Sequence, residues 1–533
     1  MEFYYQVKED MSTVETLRAE PPFVLSLDIG TSSVRASLFD RLGRAIEGTE
    51  ARQVHEIQTT TEGASEADPD ALLELIWSCI DTVMAQAHPL TIHMGGVAVC
   101  TFVGNILGVD RSGQAVTPLA TYADTRANGE VVGLRAEFDE AAVHDRTGCH
   151  FHPCYLPAYF RWFARTKPVL FHQVARWVSI GEYMELKLFG ETAVSYSVAS
   201  WTGLLDRHQL VWDKPLLAAL PVRIDQLSPL IDTHVHRRGL RPRFAARWPA
   251  LSDVPWFPAL GDGAAANIGS GCTTPARVAL TVGTTSALRA VADHNVGHIP
   301  AGLWCYRVDG RRSLPGGALS EGGSIFAWMK ATLQLGDLSK MEPALARMEP
   351  DGHGLTVLPL LAGERSPGWK GNARGTLHGL SLATTPIDIL HAGLEAVAYR
   401  IAIVFELLCQ LLPDNPQVIA SGGALLSSPS WLQITTDVLG RPVAVSEVQE
   451  ASGRGAALIA LEALGVLKDL KEAPDFVGII HHPDAKRHTR YRQAIERQKI
   501  LYEKLVKQAP LPREIVSQWA EGKNGTDKRI PKL

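Results

Sequence analysis

The sequence predicts a mixed α/β protein made of two large domains with a cleft between them. Three observations support this. The chain has 533 residues, strand-like and helix-like segments alternate along it, and two distant segments share one pattern. Because hydrophobic cores stop growing at roughly 250–300 residues, a chain of this length needs two of them. The space between two such bodies can hold a small-molecule ligand.

The composition is that of an ordinary globular protein, with 46% hydrophobic and 20% charged residues. A formal net charge of -5 argues against a general nucleic-acid binder, which needs a basic surface. The seven cysteines form no C-x-x-C pair, so neither a zinc site nor a disulfide framework is expected. With no signal-peptide or bilayer-spanning pattern, we expect a cytoplasmic protein that binds small molecules and contacts neither nucleic acid nor membrane.

The N-terminal part begins with a polar stretch, residues 1–20, which we predict to be a disordered leader ending at Pro21-Pro22. Phe23 to Phe39 then has a β-prone run, a Gly-Thr-Ser-Ser turn and an alternating run, which predicts a hairpin with a hydroxyl-rich tip. A helix is predicted at Pro69 to Ala87, capped by Asp68, and a buried strand follows within Gly95 to Gly108.

Two segments of the chain resemble each other, Val24 to Ala36 and Val278 to Ala290. Their glycines, Gly30 and Gly283, lie roughly one domain length apart, so a duplicated fold is predicted. Coincidence remains open on this observation alone, because β-hairpins often look alike. We place the boundary near Cys272 to Pro275, which gives domains at 21–273 and 274–480. Residues 481–533 are predicted to contain a charged helix (Lys486 to Gln508) with a solvated face, followed by a poorly ordered tail.

The chain contains no G-x-x-x-x-G-K-[ST] loop, so a nucleotide has to be bound in another way. A tight hairpin with glycine and hydroxyl side chains allows backbone N–H groups to approach phosphate oxygens, and both hairpins have this chemistry. Asp28 lies just before Gly30, where a carboxylate suits phosphates only with Mg²⁺ or its waters between them. The alternative is that Asp28 stabilises the turn through its own backbone.

Two further segments place small residues next to possible chemistry. Gly261-Asp262 ends a strand and opens a helix of small residues, so Asp262 is either a helix N-cap or a base that accepts a hydroxyl proton during phosphoryl transfer. Gly422-Gly423, followed by Ser427, also joins a strand to a helix. It is either an ordinary turn or a flat surface for a nucleotide base.

Taken in order, these motifs resemble those of the FGGY carbohydrate kinases, members of the actin-like ATPase superfamily with two ribonuclease-H-like domains around a catalytic cleft. The resemblance runs from Phe23 to about Gly465. It implies ATP and Mg²⁺, with Asp262 as general base and close to the metal, and Asp28 reaching the metal through water. The residues that it implies for ATP and phosphate are Gly30, Thr31, Ser32, Ser33, Arg35, Gly283, Thr284, Gly323, Gly423 and Ser427.

Three segments look like the gluconate kinase branch: Tyr122 to Arg126, Thr147 to Pro153 and Gly363 to Trp369. This implies a sugar-acid substrate phosphorylated at a primary hydroxyl. Arg126 either recognises the carboxylate or pairs with Asp124. The residues assigned to the sugar site are Asn105, Asp124, Arg126, His152, Cys154 and Asp262.

The loop Thr101 to Asn105 departs from the Phe-Trp-His-Ser that gluconate kinases tend to have, so the substrate does not carry over directly. A kinase for a neutral ketopentose or polyol remains the alternative, and a non-catalytic actin-like ATP-binding scaffold is a remote one. Enzymes of this kind are often dimers, so a homodimer stays open.

Overall fold

The computed structural model describes residues 11–508, and two large β-sheets organise this part of the chain. The first sheet has the spatial order β1-β4-β3-β2-β5-β6. Its strands are β1 (Thr13–Val14), β2 (Phe23–Ile29), β3 (Ser33–Phe39), β4 (Ala45–Val54), β5 (Met94–Thr101) and β6 (Leu260–Gly261).

The second sheet has the spatial order β9-β10-β8-β7-β11-β12-β13. Its strands are β7 (Arg277–Val282), β8 (Ser286–Ala290), β9 (Trp304–Arg307), β10 (Ser313–Leu319), β11 (Gln417–Ser421), β12 (Val443–Ser446) and β13 (Val477–His481). The two sheets share one arrangement. A hairpin (β2–β3 or β7–β8) is extended by a third antiparallel strand (β4 or β10) beside its second strand. Two parallel strands (β5 and β6, or β11 and β12) follow beside its first strand. The shared order supports the duplicated architecture that the sequence predicts.

Helices cover the sheets. The longer ones are α1 (Pro69–Gln86), α2 (Asn128–Glu137), α3 (Glu140–Thr147), α4 (Leu156–Thr166), α5 (Ile180–Phe189), α6 (Asp262–Gly269), α7 (Gly323–Thr332), α8 (Leu338–Leu345), α9 (Pro386–Cys409), α10 (Pro429–Leu439), α11 (Ala451–Ala463) and α12 (Ala485–Tyr502). Shorter helices span Pro168–Gln173, Tyr196–Ser200, Lys214–Leu217, Pro242–Arg247 and Gly423–Leu426.

The remaining strands form small sheets of two or three strands. They are Gln58–Thr59, Ser65–Ala67, Leu107–Val109, Leu119–Ala120, Arg176–Val178, Val194–Ser195, Leu205–Asp206, Val211–Trp212, Leu230–Ile231, Thr356–Leu358 and Thr376–His378. Most of these short strands lie in the first half of the chain, so the first domain has more structure outside its central sheet than the second.

Helices α6 and α11 cross in close backbone contact. A Cβ atom on Gly269 would lie 1.8 Å from the carbonyl oxygen of Ala451, and one on Gly455 would lie 1.8 Å from that of Ala265. Only glycine permits this approach. The Ser26 hydroxyl of β2 donates to the carbonyl of Gly453 at 2.8 Å, so α11 packs on the first sheet although its sequence neighbours belong to the second.

Buried Arg454 holds this crossing together from one side. Its guanidinium donates to the carbonyl oxygens of Gly43 at 2.9 Å, Gly269 at 2.5 Å and Pro474 at 2.6 Å. These carbonyls belong to the turn between β3 and β4, to α6 and to the segment before β13. The two domains therefore share a common joint that contains α6, whose first residue is Asp262.

Two predictions for the ends of the chain need correction. Within the predicted leader, Thr13–Val14 pairs in parallel with Ala45–Ile46, so the prediction of disorder is wrong for residues 11–20, because the edge of β4 offers backbone partners. Residues 1–10 and the tail from 509 lie outside the described residues. The charged helix α12 buries one face, including Tyr491, Ile495 and Gln498, so it is not simply solvated.

Candidate active site

A cavity of about 510 Å³ lies between the two domains and is lined by residues of both. Its walls are aromatic: the Trp201 and Tyr306 rings stack at 3.7 Å between centroids, and Trp304 and Trp369 also line it. Asp262 reaches the cavity from the first turn of α6. Thr285 and Ser286, next to the tip of the second hairpin, line it as well. The predicted base and one phosphate hairpin are therefore brought together.

Asp262 is the acid that opens α6, and its surroundings act on its pKa in opposite directions. The backbone N–H of Gly263 donates to its carboxylate at 2.7 Å. Burial raises the pKa of Asp262, and the positive charge of Arg289 opposes that shift. A carboxylate with a raised pKa can accept a proton from a hydroxyl more readily than one in bulk water. The N-cap of α6 is Gly261, and Asp262 is the first helical residue without a side-chain capping hydrogen bond, so the N-cap alternative for Asp262 is wrong.

Asp28 is a second acid close to Asp262, outside the cavity lining, and it is the last residue but one of strand β2. It is buried, and burial together with the negative charge of Asp262 raises the pKa of Asp28 to about 6. The Cys100 thiol donates to it at 3.4 Å, and Arg35 lies at 3.5 Å. Two buried carboxylates that repel each other fit a divalent cation, which prefers oxygen ligands.

The tip of the first hairpin exposes its hydroxyl groups unequally. The N–H of Gly30 donates to the carbonyl of Ser33 at 3.0 Å, which closes the turn. Ser32 is exposed, Thr31 is partly exposed and Ser33 is buried. Arg35 pairs with Glu450 at 3.1 Å as well as with Asp28. Thr31 and Ser32 are thus free to meet phosphate, whereas Ser33 and Arg35 are engaged within the protein.

Glycines bring the predicted nucleotide residues together. The N–H of Gly323 donates to the carbonyl of Gly283 at 2.7 Å, and that of Ser324 donates to Thr284 at 3.1 Å. A Cβ atom on Gly422 would lie 2.4 Å from the carbonyl of Val282. Three chain segments therefore meet at the second hairpin only because they lack side chains at these points. Gly423 faces open space and Ser427, a little further on, is exposed.

On the sugar side, Arg126 is not available to a ligand. It forms a bidentate pair with Asp124, at 3.1 Å from Nε to each oxygen, and a further pair with Glu66. Its guanidinium also lies 4.4 Å from the Trp162 ring, and it is not among the residues that line the cavity. Of the two alternatives, the pairing with Asp124 is the one observed. Asp124 does line the cavity, with its charge compensated.

Asn105 is also turned away from the cavity, contrary to the prediction. Its amide oxygen accepts the N–H of Ile180 at 2.8 Å, and its amide nitrogen donates to the carbonyl of Phe102. The oxygen end joins the loop to α5, and the nitrogen end closes the loop on itself. Val103 and Gly104 line the cavity in its place.

His152 and Cys154 line the cavity as predicted. Burial, helped by the charge of Arg365, lowers the pKa of His152 to about 3, so its ring is neutral. Its Nδ1 atom accepts the N–H of Cys154 at 3.2 Å, which leaves Nε2 as the donor. Burial raises the pKa of Cys154 to about 12, so the thiol stays protonated.

Several cavity residues escaped the sequence analysis. Arg289 lies on β8, the second strand of the β7–β8 hairpin. Arg365 and Trp369 lie on the loop after the Thr356–Leu358 strand. The Trp369 ring packs 4.8 Å from His150 and 5.8 Å from His152, so it connects the domains. The Gly363 to Trp369 segment is one of the sequence motifs, and Arg289 is the last residue but one of the repeated pattern. Neither signal indicated that these side chains point into the cavity.

A second cluster, His353, His391 and Glu395, brings metal-ligand side chains together away from the cavity. The N–H of Leu355 donates to Nδ1 of His353 at 3.0 Å. Nε2 of His353 must then carry the proton, and it donates to Glu395 at 2.9 Å. Tyr399 donates to the same carboxylate at 2.9 Å. Because the proton occupies the atom that a metal would need, His353 and Glu395 form a hydrogen-bonded core pair, with Nε2 of His391 at 3.5 Å from the Glu395 carboxylate.

Comparisons with known proteins identify the family of this chain. Residues 23–269 match the N-terminal domain, and residues 278–464 the C-terminal domain, of the FGGY family of carbohydrate kinases. The chain is 25% identical to a gluconokinase of Bacillus subtilis over 86% of its own length and 90% of the relative's. It is 29% identical to an apulose kinase of Pectobacterium atrosepticum, over 83% and 90%. A xylulose kinase of Escherichia coli is 25% identical, over 90% and 99%.

Solved structures support the fold. The crystal structure of a gluconate kinase from Lactobacillus acidophilus superposes with a TM-score of 0.83 at 24% identity, covering 91% of this chain and 98% of that one. A xylulose kinase from the same organism gives 0.84 at 24% identity, covering 91% and 99%. Between residues 11 and 508, no helix has the length and apolar character needed to cross a bilayer.

Proposed function

Because this chain belongs to the FGGY family of carbohydrate kinases, we propose that it transfers the γ-phosphate of ATP to a primary hydroxyl of a gluconate-like sugar acid, with Asp262 as general base. One observation carries the role of Asp262. Three carboxylates line the cavity, and two are paired: Asp124 with Arg126 and Glu364 with Arg400. Among the described residues, no cation lies within ion-pair distance of Asp262, so it is free to accept a proton.

In the proposed reaction, the β and γ phosphates lie between the tips of the two hairpins. Thr31 and Ser32 offer hydroxyl groups from the first tip, and Gly283 and Thr284 offer backbone donors and a hydroxyl from the second. Asp262 takes the hydroxyl proton as the oxygen forms its bond to the γ-phosphorus, and the bond to the β-phosphate oxygen breaks to release ADP. The aromatic walls exclude water that would otherwise hydrolyse ATP.

Asp28, through water, and Asp262 are the residues that would hold Mg²⁺. When bound, the ion neutralises phosphate charge that builds up during transfer. Burial and, after it, the negative charge of Asp262 raise the pKa of Asp28, and a cation at this place would offset both effects. The support for a sugar acid is coarser: two curated relatives, from Bacillus subtilis and Bacillus licheniformis, are named gluconokinase, but apulose, glycerol and xylulose kinases are similar too.

The test is an ADP-release assay with ATP, Mg²⁺ and a panel of acceptors: gluconate, other aldonates, xylulose, ribulose and glycerol. Asp262→Asn should lower turnover at least about a hundredfold, the size expected when a general base is lost. ATP binding should persist, because Asn keeps an oxygen for the Gly263 N–H. Asp253→Asn, on an exposed residue, is the control and should be as active as wild type.

The other outcomes are equally informative. Turnover of Asp262→Asn within a few-fold of wild type would remove the base assignment. A preference for xylulose, ribulose or glycerol would make the chain a neutral-sugar kinase. ATP hydrolysis that no sugar stimulates would favour an ATP-binding scaffold. The pH profile adds a check: because the pKa of Asp262 is raised, turnover should fall as the pH is lowered through it and the base becomes protonated.

A further inference from the structure

The charges that line the cavity do not cancel. Its charged residues are Asp124, Asp262, Glu364, Arg289 and Arg365. Arg126 and Arg400, which lie outside the lining, compensate Asp124 and Glu364. Two arginines then face one free carboxylate, that of Asp262. The residues that line the cavity therefore carry an excess of one positive charge before any ligand enters, with Asp28 lying outside this lining.

Arg289 is the less satisfied of these two arginines. Within the described part of the chain it forms no ion pair, and its Nε atom is buried without a hydrogen-bond partner. A Cβ atom on Gly263 would lie 3.1 Å from Nε of Arg289 and 3.2 Å from the Trp201 ring. The side chain is therefore packed between the start of α6 and an aromatic wall of the cavity.

The hairpin that carries Arg289 offers no counter-ion. Ala279 lies directly opposite Arg289 in the register of β7 and β8. Thr281 is the next residue of β7 on that face, and its hydroxyl contacts that of Ser421 at 3.1 Å. Burial lowers the pKa of Arg289, which reflects the free-energy cost of a poorly solvated cation without a partner. An incoming anion would offset this cost.

Arg365 differs because its guanidinium is anchored. It donates to the carbonyl of Leu319 at 2.6 Å, and its neighbour Glu364 is held by Arg400 and by the Tyr502 hydroxyl at 2.6 Å. Arg365 contributes positive charge from a fixed position, whereas Arg289 has free donors.

We propose that Arg289 binds the carboxylate of a sugar-acid acceptor through charge-assisted hydrogen bonds, and that it is the residue that makes this cavity select an acid over a neutral polyol. The inference rests on the proposed kinase function and deepens it. An arginine fork matches a carboxylate in geometry, and the pair is strong because the aromatic walls exclude water. Arg126, the residue that the sequence suggested for this task, has its own partners.

The test uses two acceptors that differ only at one end, gluconate and glucitol, whose terminal CH₂OH replaces the carboxylate. Initial rates are measured for wild type, Arg289→Gln and Arg289→Lys, with glucitol also tested as a competitive inhibitor so that its affinity is obtained even if turnover is slow. Arg289→Gln should raise KM for gluconate about ten- to hundredfold, as expected for a lost charged hydrogen bond. The glucitol constants should change less than about threefold, and Arg289→Lys should be intermediate.

Arg223→Gln, on an exposed arginine, serves as the control for removing a positive charge and should leave both acceptors unchanged. Equal losses of kcat for both acceptors with Arg289→Gln, together with an acid limb of the pH profile moved to higher pH, would overturn the proposal. That result would mean that Arg289 acts only on the ionisation of Asp262. An unchanged gluconate KM would also overturn it.

Failure of the inference and failure of the proposed function are distinguishable. A wild-type enzyme that phosphorylates a neutral sugar but no acid overturns the role of Arg289 and leaves the kinase reaction in place. A protein that phosphorylates no sugar at all overturns both. Melting temperatures of the variants establish that each one is folded before its kinetics are compared.

Discussion

The two phosphate hairpins, β2–β3 and β7–β8, share a Gly-Thr tip but use their arginines differently. In the first hairpin, Arg35 lies directly opposite Asp28 in the strand register, and the two side chains are within ion-pair distance. In the second, Arg289 lies opposite Ala279. Opposed residues of antiparallel strands point to the same face of the sheet. The residue opposite each arginine therefore decides whether the arginine has a charged neighbour on that face.

The difference begins at the turn. The first tip closes with Gly30 bonded to Ser33, and the second with Gly283 bonded to Thr285, so the second turn is one residue shorter. Counted back from the glycine, Thr281 takes the place of Asp28. One hairpin thus presents an acid that suits a cation, with its charge partly balanced by arginine. The other presents an uncompensated arginine that suits an anion. The proposed function therefore assigns two different chemical tasks to one repeated motif.

Removing the acid of the first hairpin should break this comparison most strongly. Asp28→Asn is expected to lower turnover about a hundredfold, because a metal would lose one of its two acidic partners in the site. The measurement is the initial rate as a function of Mg²⁺ concentration. Turnover should be slower, and saturation should need a higher Mg²⁺ concentration, because the ion binds more weakly. Thr281→Val at the matching place of the second hairpin should stay within about threefold of wild type. Comparable effects of the two variants would contradict the division of tasks.

Adding a methyl group to each tip glycine should separate ligand contact from protein packing. A Cβ atom on Gly283 meets no atom within 4 Å, whereas one on Gly30 lies 3.1 Å from the carbonyl of Ser33. Gly283→Ala should therefore keep the melting temperature of wild type and raise KM for ATP about tenfold, because the methyl occupies space that phosphate needs. Gly30→Ala should also lower the melting temperature. An unchanged KM in Gly283→Ala would place the nucleotide elsewhere.

The smallest expected effect concerns stability. The pKa of Asp28 is raised from 3.8 to about 6, so its contribution is most favourable at low pH and is lost as the pH rises through this interval. At pH 7.5 without ligand, Asp28→Asn should stabilise the protein by about 1–3 kcal/mol. This corresponds to a rise in melting temperature of about 2–6 °C.

At pH 5 the gain should shrink, and Thr281→Val provides the matched control. A melting temperature of Asp28→Asn that equals or falls below that of wild type at pH 7.5 would show that the ionised Asp28 is not a burden in the folded state.

Sequence alone predicted the parts of the site whose chemistry is local. The hairpin at Phe23 to Phe39, the acid before its tip, Asp262 at the start of a helix and the paired glycines at 422–423 can all be read from short segments. This is possible because turn geometry and the close approach of backbones depend on neighbouring residues. The order of these motifs along the chain is what carried the family resemblance. The two-domain α/β architecture was predicted from the chain length and from the repeated hairpin pattern, which can also be recognised without knowledge of distant contacts.

Tertiary structure decided which charged side chains are free. Arg126 forms an ion pair with Glu66, and Arg35 forms one with Glu450. The side chain of Asn105 accepts a hydrogen bond from the backbone of Ile180. Each of these partners lies far away in the sequence. A charged residue near a cavity binds a ligand only if no buried partner already compensates it, and that depends on packing between distant segments. The sequence therefore determined the fold class and the candidate base, whereas only the folded molecule assigned Arg126 to the scaffold and left Arg289 facing the cavity.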